Sequence, residues 1–276
     1  MKTIALVLFT FFTFHAIAQE NYEYVQKGEF GISAGMAHYF GDLNTRAGLN
    51  RPKPAVGVFF RKQFGNYIAA RINAHYAQVG YSDTYSKNEY QNTRNLSFNS
   101  NIWELALQGD FNFFKFIPGS KYNSFTPFVT LGVGAFSYDP YAYLNGKKEF
   151  LRPLGTEGQL IGYKGRKQYS PTAICFPIGV GIKYNISDNL NLSFEVTQRI
   201  TNTDYLDDVS TTYIGVGNFV PGSSAALLQD RSYEVTTPVL GVEGRQRGWS
   251  KQKDQYIIAE LSISFNISSY KCPSAN

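Results

Sequence analysis

The chain has 276 residues, of which 17% are charged and 16% aromatic, with a formal net charge of +5. So mild a balance, without a compact Lys/Arg cluster, excludes a nucleic-acid binder that tracks a polyanion. Beyond residue 18 no run approaches 18 consecutive apolar residues, which excludes a transmembrane helix.

The first 18 residues read as a leader. Lys2 supplies a positive start, residues 4–14 an apolar stretch too short to span as a helix, and Ala16-Ile17-Ala18 a small-x-small cleavage site. No cysteine follows that site, so the leader is not of the lipoprotein kind. Residues 19–276 are expected to form one exported domain.

From there the chain alternates at period two, the mark of a strand with one apolar and one polar face. Residues 29–39 set Phe30, Ile32, Ala34 and Met36 against Gly31, Ser33 and Gly35, and a loop runs to Lys53. Residues 55–64 follow, with Val56, Val58 and Phe60 opposite Arg61. Gly65-Asn66 signals a hairpin. Residues 67–81 place Ile68, Ile72 and Tyr76 opposite Arg71, Asn73 and His75, and residues 82–95 read as a polar loop. Residues 98–113 carry Trp103, Leu105, Leu107 and Phe111 opposite Glu104, Gln108 and Asp110. After a turn over 115–124, residues 125–138 carry Val129, Leu131 and Val133 opposite Thr130, Gly132 and Gly134.

Residues 139–170 read as irregular. Residues 172–186 then alternate Ile174, Phe176, Ile178, Val180, Ile182 and Tyr184 with Gly179, Gly181 and Lys183. A tight turn at 187–189 leads to residues 190–200, where Leu192 and Phe194 oppose Ser193, Glu195 and Arg199. The longest connection, 201–254, precedes residues 255–267, the cleanest alternation of all: Ile257, Ala259, Leu261, Ile263, Phe265 and Ile267 on one face.

Eight strands result, joined by long and short connections in strict turn. The expected fold is all-β: a transmembrane antiparallel up-and-down β-barrel in a bacterial outer membrane, with long extracellular loops and short periplasmic turns. Outer-membrane lipid is its surround. Abundant Tyr and Phe, 20 and 22 residues against two Trp, suit the interfacial girdles of such a barrel.

The register sends Arg61, Arg71, Lys183 and Arg199 inward with Glu104, Asp110, Glu195 and Glu260. Eight strands leave a lumen that side chains fill. Charges there must pair, so a salt-bridged plug is expected rather than a pore. Gly132, Gly134, Gly179 and Gly181 relieve crowding inside it. Cys175 falls near the outer rim and Cys272 beneath the inner one, about 30 Å apart across the bilayer core, so no disulfide is expected between them.

Motifs for chemistry are missing. There is no HExxH, CxxC, GxSxG or P-loop, and no catalytic, cofactor-binding or metal-binding residue, and no small-molecule substrate, is assigned. His38 near Asp42 at the outer rim keeps open a lipid-modifying barrel enzyme as a minor alternative. Three basic clusters, Lys147-Lys148, Arg166-Lys167 and Arg245-Gln246-Arg247, lie among loop aromatics including Tyr141, Tyr163 and Trp249. They read as solvated surface or as contacts for lipopolysaccharide phosphate or a protein.

Five motifs, taken in order, point further. They are Tyr39-Phe40-Gly41-Asp42-Leu43-Asn44, the run 125–136, the run 177–184, the acidic 203–208 and the tail Lys271-Cys272-Pro273. Together they resemble the PorG-like outer-membrane barrels of the Bacteroidetes, associated with type IX secretion. The resemblance implies a non-enzymatic accessory or anchoring barrel whose periplasmic parts, residues 19–28, 115–124, 187–189 and 268–276, contact a ring of lipoprotein and partner subunits. An adhesion or recognition barrel acting through its outer loops is the alternative.

Overall fold

A computed structural model of the protein describes residues 26–268, apart from 47 and 119. The leader, Cys272 and most of the two terminal segments lie outside the described residues.

Eight long strands form the barrel: β1 (Gln26–Phe40), β2 (Lys53–Phe64), β3 (Ile68–Ser82), β4 (Ser97–Asn112), β5 (Phe125–Tyr138), β8 (Thr172–Ser187), β9 (Leu190–Thr201) and β10 (Gln255–Ser268). Each pairs antiparallel with its neighbours in the order β3-β2-β1-β10-β9-β8-β5-β4, and β3 pairs with β4 to close the ring. Closure leaves no open edge on the barrel. All eight expected strands are present, with ends within three residues of those read from alternation.

Parity decides everything else. Glu29, Arg61, Arg71, Asp110 and Glu195 are buried inside, whereas Phe30, Val58, Ile72, Leu107, Leu131, Ile178 and Leu261 are exposed on the outer wall. Partners across the seam keep the faces in step: Phe30 sits opposite Phe265 and Ile32 opposite Ile263. Toward the end with short turns the outer wall carries Phe30, Phe64, Phe111, Phe125, Tyr184 and Phe265, all exposed. Inside, space is tight. A Cβ on Gly181 would lie 2.6 Å from the Phe128 ring, and one on Gly57 would collide with the His75 imidazole.

Several loops are more ordered than the sequence reading allowed. Residues 139–170, read as irregular, contain a hairpin of β6 (Tyr141–Leu144) and β7 (Lys147–Phe150), which continues the sheet from β4 through Asn99 and Tyr141. Its turn is Asn145-Gly146, both at positive φ, a sequence signal for a hairpin. The loop 82–95 contains helix α1 (Glu89–Arg94), started by the Asn88 side chain, which accepts from the Tyr90 and Gln91 amides, and stopped by Asn95 in the left-handed region. A second short helix, α2 (Ser224–Gln229), lies in the longest connection. Six residues are too few for a helical period to show in a sequence. Gly65-Asn66 does turn the chain, but as part of a three-residue connection, since β3 begins at Ile68.

The long connections pack on one another at the far end of the barrel. Leu43, Leu96, Leu144, Leu151, Leu206, Val209 and Leu228 join Tyr39, Phe98 and Tyr138 from the strand ends in one buried cluster. This apolar core belongs to the cap and the mouth beneath it. The middle of the barrel is polar.

Candidate functional site

The lumen is a network of ion pairs in two tiers. Nearer the short turns, Arg61 pairs with Glu29 and with Asp110 at 2.7 Å, and Arg71 reaches Asp110 at 3.3 Å and Glu195 at 2.5 Å. Nearer the cap, Glu104 is the hub. It faces Arg199 Nε at 3.2 Å and His75 Nδ1 at 3.6 Å, and accepts the Tyr256 hydroxyl at 2.5 Å. His75 Nε2 faces Glu260 at 3.2 Å. The eight inward charges read from the register are all buried, and the structure adds Glu29 and His75 to them. Glu29 fits the inward parity of β1 but is the first residue of the strand read from alternation, which the structure begins at Gln26. His75 bears its charge only if protonated.

Lys183 departs from the expected pairing. Its buried ammonium has no hydrogen-bond partner among the described residues and instead lies 5.2 Å from the Phe116 ring and 5.3 Å from that of Phe128. Quadrupole attraction of this kind partly replaces a counter-ion. Cys175 is a free, buried thiol with Sγ 3.9 Å from Glu104, at the cap end of β8 as the topology required.

Above the lumen two of the sequence motifs interlock. The Tyr39 hydroxyl sits between Asp207 Oδ2 (2.5 Å) and Asp254 Oδ1 (3.0 Å). Gly41 has no room for a Cβ, which would overlap that hydroxyl and Asp254. Asp42 accepts the Trp249 amide on both oxygens, and Asn44 donates back to the Tyr39 carbonyl at 2.8 Å. The motif at 39–44 is thus the strand end that receives the acidic 203–208 segment.

Two arginines tie the loops together. Arg94 holds Asp83 through two bonds of 2.7 Å and donates to the carbonyls of Asp42 (3.0 Å) and Arg247 (2.5 Å). Arg247 donates to Glu157 (3.1 Å) and to the carbonyls of Asp208 (2.5 Å) and Gln229 (3.0 Å). Glu157 also accepts from the amides of Ser210 and Thr211. The reading of Arg245-Gln246-Arg247 as a surface cluster therefore fails at Arg247, which is buried because loop carboxylates and carbonyls surround it. Arg166 is likewise spent on the carbonyls of Glu157 and Thr212. Lys148 stays at the surface over Tyr141 and Phe150. His38 and Asp42 are not used together: His38 Nε2 bonds the Gly48 carbonyl at 2.5 Å, while the Asp42 carboxylate serves Trp249.

The acids at this junction share one electrostatic bias. Burial, together with neighbouring carboxylates, pushes Asp204 up to about 7 and Asp42 up to about 6, and holds Asp207 and Asp254 well above the usual range. Their folded values exceed the unfolded value near 3.9, so the folded cap binds more protons than the open one. That stabilisation is complete below about pH 4 and fades as pH rises through 6 to 7. Limited proteolysis of the loops is expected to run faster at pH 8 than at pH 5.5 with a protease of matched activity. Asp204→Asn should flatten the difference, and cleavage independent of pH in the wild type would contradict it.

Among the described residues no group of three or more His, Cys, Asp and Glu is placed to hold a metal ion.

A family model described as a domain of unknown function (DUF6089) matches residues 6–213, which takes in β1 to β9. A comparison with curated proteins finds no match. Solved structures similar to the chain include the N-terminal β-barrel domain of Pseudomonas aeruginosa OprF, at 10% identity and TM-score 0.37, covering 88% of this chain and 99% of that one. Another is the attachment invasion locus protein Ail of Yersinia pestis, at 9% and 0.40, covering 87% and 99%. A third is Neisserial surface protein A, at 10% and 0.40, covering 87% and 97%.

Proposed function

The chain belongs to the DUF6089 family, and from that premise we propose that it is an integral, non-enzymatic barrel of a bacterial outer membrane, closed to conduction, that displays a folded cap at the cell surface. The outer wall supports the membrane placement. Side chains such as Leu105, Leu107, Leu131, Val180 and Leu261 stand exposed at mid-strand, and a monomer in water rarely shows so continuous an apolar belt. Strands of 12–16 residues exceed the nine to eleven or so that a tilted strand needs to cross. With both described chain ends at the end with short turns, that end faces the periplasm, as in other barrels of this kind.

The observation that carries the reading is the tied cap over a salt-bridged lumen. A lumen filled by the Arg61, Arg71 and Arg199 ion pairs, with Lys183 packed on aromatic rings, supports a closed barrel, and the ordered mass outside the strands is concentrated at the cap. Recognition at the outer surface is then the task the geometry supports best, with a protein or glycan as partner.

A second reading keeps the accessory role in type IX secretion that the sequence motifs suggest, with contacts to a periplasmic ring. Tyr122, in the turn after β4, is the residue that reading would use: it is 97% exposed at the end with short turns and free to meet a partner there. A photoreactive residue placed at 122 or at 216 in intact cells separates the two. Capture of a neighbour from 216 only is expected on the first reading. Capture of periplasmic lipoproteins from 122 only would replace it with the second.

A further inference from the structure

At the cap end of β2, β3 and β4 the wall opens into a cleft of about 480 Å³, lined in part by Arg51, Lys53, Tyr81, Tyr85, Ser97 and Asn99. An adjoining hollow of about 200 Å³ shares Tyr81 and Tyr85 and adds Arg46 and Lys87. No carboxylate lines either one. Elsewhere in the cap Arg94 is matched by Asp83, Arg231 by Glu234 and Arg247 by Glu157. Arg46, Arg51, Lys53 and Lys87 make no ion pair among the described residues. Lys53 bonds the neutral Asn99 carboxamide at 2.6 Å, and the Arg51 guanidinium lies over the Tyr85 ring at 4.1 Å. A Cβ on Gly80 would press on the Phe98 carbonyl at 2.7 Å and on Asn99 at 2.8 Å, so the floor has no room for a side chain there.

We propose that this cleft binds a phosphorylated saccharide. Arg51 and Lys53 meet the phosphate, for which a guanidinium offers a fork of donors and an ammonium a point charge. Ser82, Ser97 and Asn50 supply the small hydroxyl and amide groups that sugar hydroxyls require, and the volume suits one or two sugar rings. The ligand is either the headgroup of an outer-leaflet glycolipid or a free sugar phosphate. Only the first source rests on the membrane placement argued above.

The test uses the full-length protein with two probes. Glucosamine 1-phosphate is titrated calorimetrically in detergent, and lipid A is supplied in phosphatidylcholine nanodiscs against nanodiscs without it. Protection of Tyr85 from iodination, mapped by mass spectrometry, reports occupancy in the wild type. Binding of either probe, with Tyr85 protected, is expected. Arg51→Ala/Lys53→Ala should weaken it at least tenfold, and Arg51→Lys/Lys53→Arg should restore most of the loss. Binding of lipid A alone assigns the site to a membrane glycolipid, and binding of the soluble probe assigns it to the shared phosphosugar group. No protection of Tyr85 by either probe, or equal affinity in the alanine variant with its heat-modifiable gel shift intact, overturns the proposal. The soluble titration holds whether or not the barrel sits in a membrane, so failure of the site and failure of the membrane reading remain distinct.

Discussion

Glu104→Ala is expected to cost the barrel about 3–5 kcal/mol, the range for breaking a buried ion pair from one side. The carboxylate receives Arg199, His75 and Tyr256, all themselves buried, and Cys175 stands beside it. Its removal strands a guanidinium and a phenol in a site that water does not reach. The loss is then the desolvation of the orphaned groups more than the worth of one pair. Glu104→Gln, which keeps an acceptor of the same shape, should cost less. Glu104→Leu combined with Arg199→Met should recover part of the deficit, because both charges leave together. The measurement is the midpoint of urea unfolding in micelles, followed by the change in gel mobility between folded and heated barrel. A Glu104→Ala midpoint equal to that of the wild type would mean that the lumen is hydrated and the hub already solvated.

Arg247→Ala should act on the cap and spare the barrel. Three parts of the chain meet at this guanidinium: Glu157 of the third long loop, the Asp208 carbonyl, and the Gln229 carbonyl at the end of α2. Arg94 donates to the carbonyl of Arg247 itself, so the second loop is tied to the same point. Without the cation, Glu157 and Asp208 are left buried with hydroxyl and amide donors but no opposite charge. A local cost of about 3–5 kcal/mol follows, and it falls on loops rather than strands. Trypsin should then cut within 202–254 at least tenfold faster, while the unfolding midpoint of the barrel stays within experimental error. Arg247→Lys should give an intermediate rate, since an ammonium cannot hold three acceptors in one plane. Equal protection of wild type and Arg247→Ala would show that the apolar cluster around Leu206 and Leu228 holds the cap without its arginine.

The barrel was legible in the sequence because its signal is local. Side-chain parity along a strand is set by the backbone alone, so Ile32, Leu107, Ile178 and Leu261 announce an apolar wall, and Arg61, Arg71 and Glu195 a charged lining, before any strand is paired. The alternation of long and short connections added the topology. The inward identity of eight charges was available by the same count. So was the crowding that demands glycine at 181, where the Phe128 ring leaves no space for a side chain.

Who meets whom was not available. Nothing in the order of residues says that Tyr39 bonds Asp207 and Asp254, that Arg247 belongs to the interior, or that Lys183 rests on aromatic rings in place of an acid. These contacts join segments more than a hundred residues apart or depend on how a loop without periodicity folds back. Their partners are chosen by the closed geometry of the ring and by the desolvation cost of any polar group left without one. The greasy cylinder with a charged interior is written in the order of residues, because periodicity is a property of the backbone. Which charge meets which inside the plug, and the existence of the cap and the basic cleft, came only with the folded chain, because pairing of buried charges is a property of distance in space.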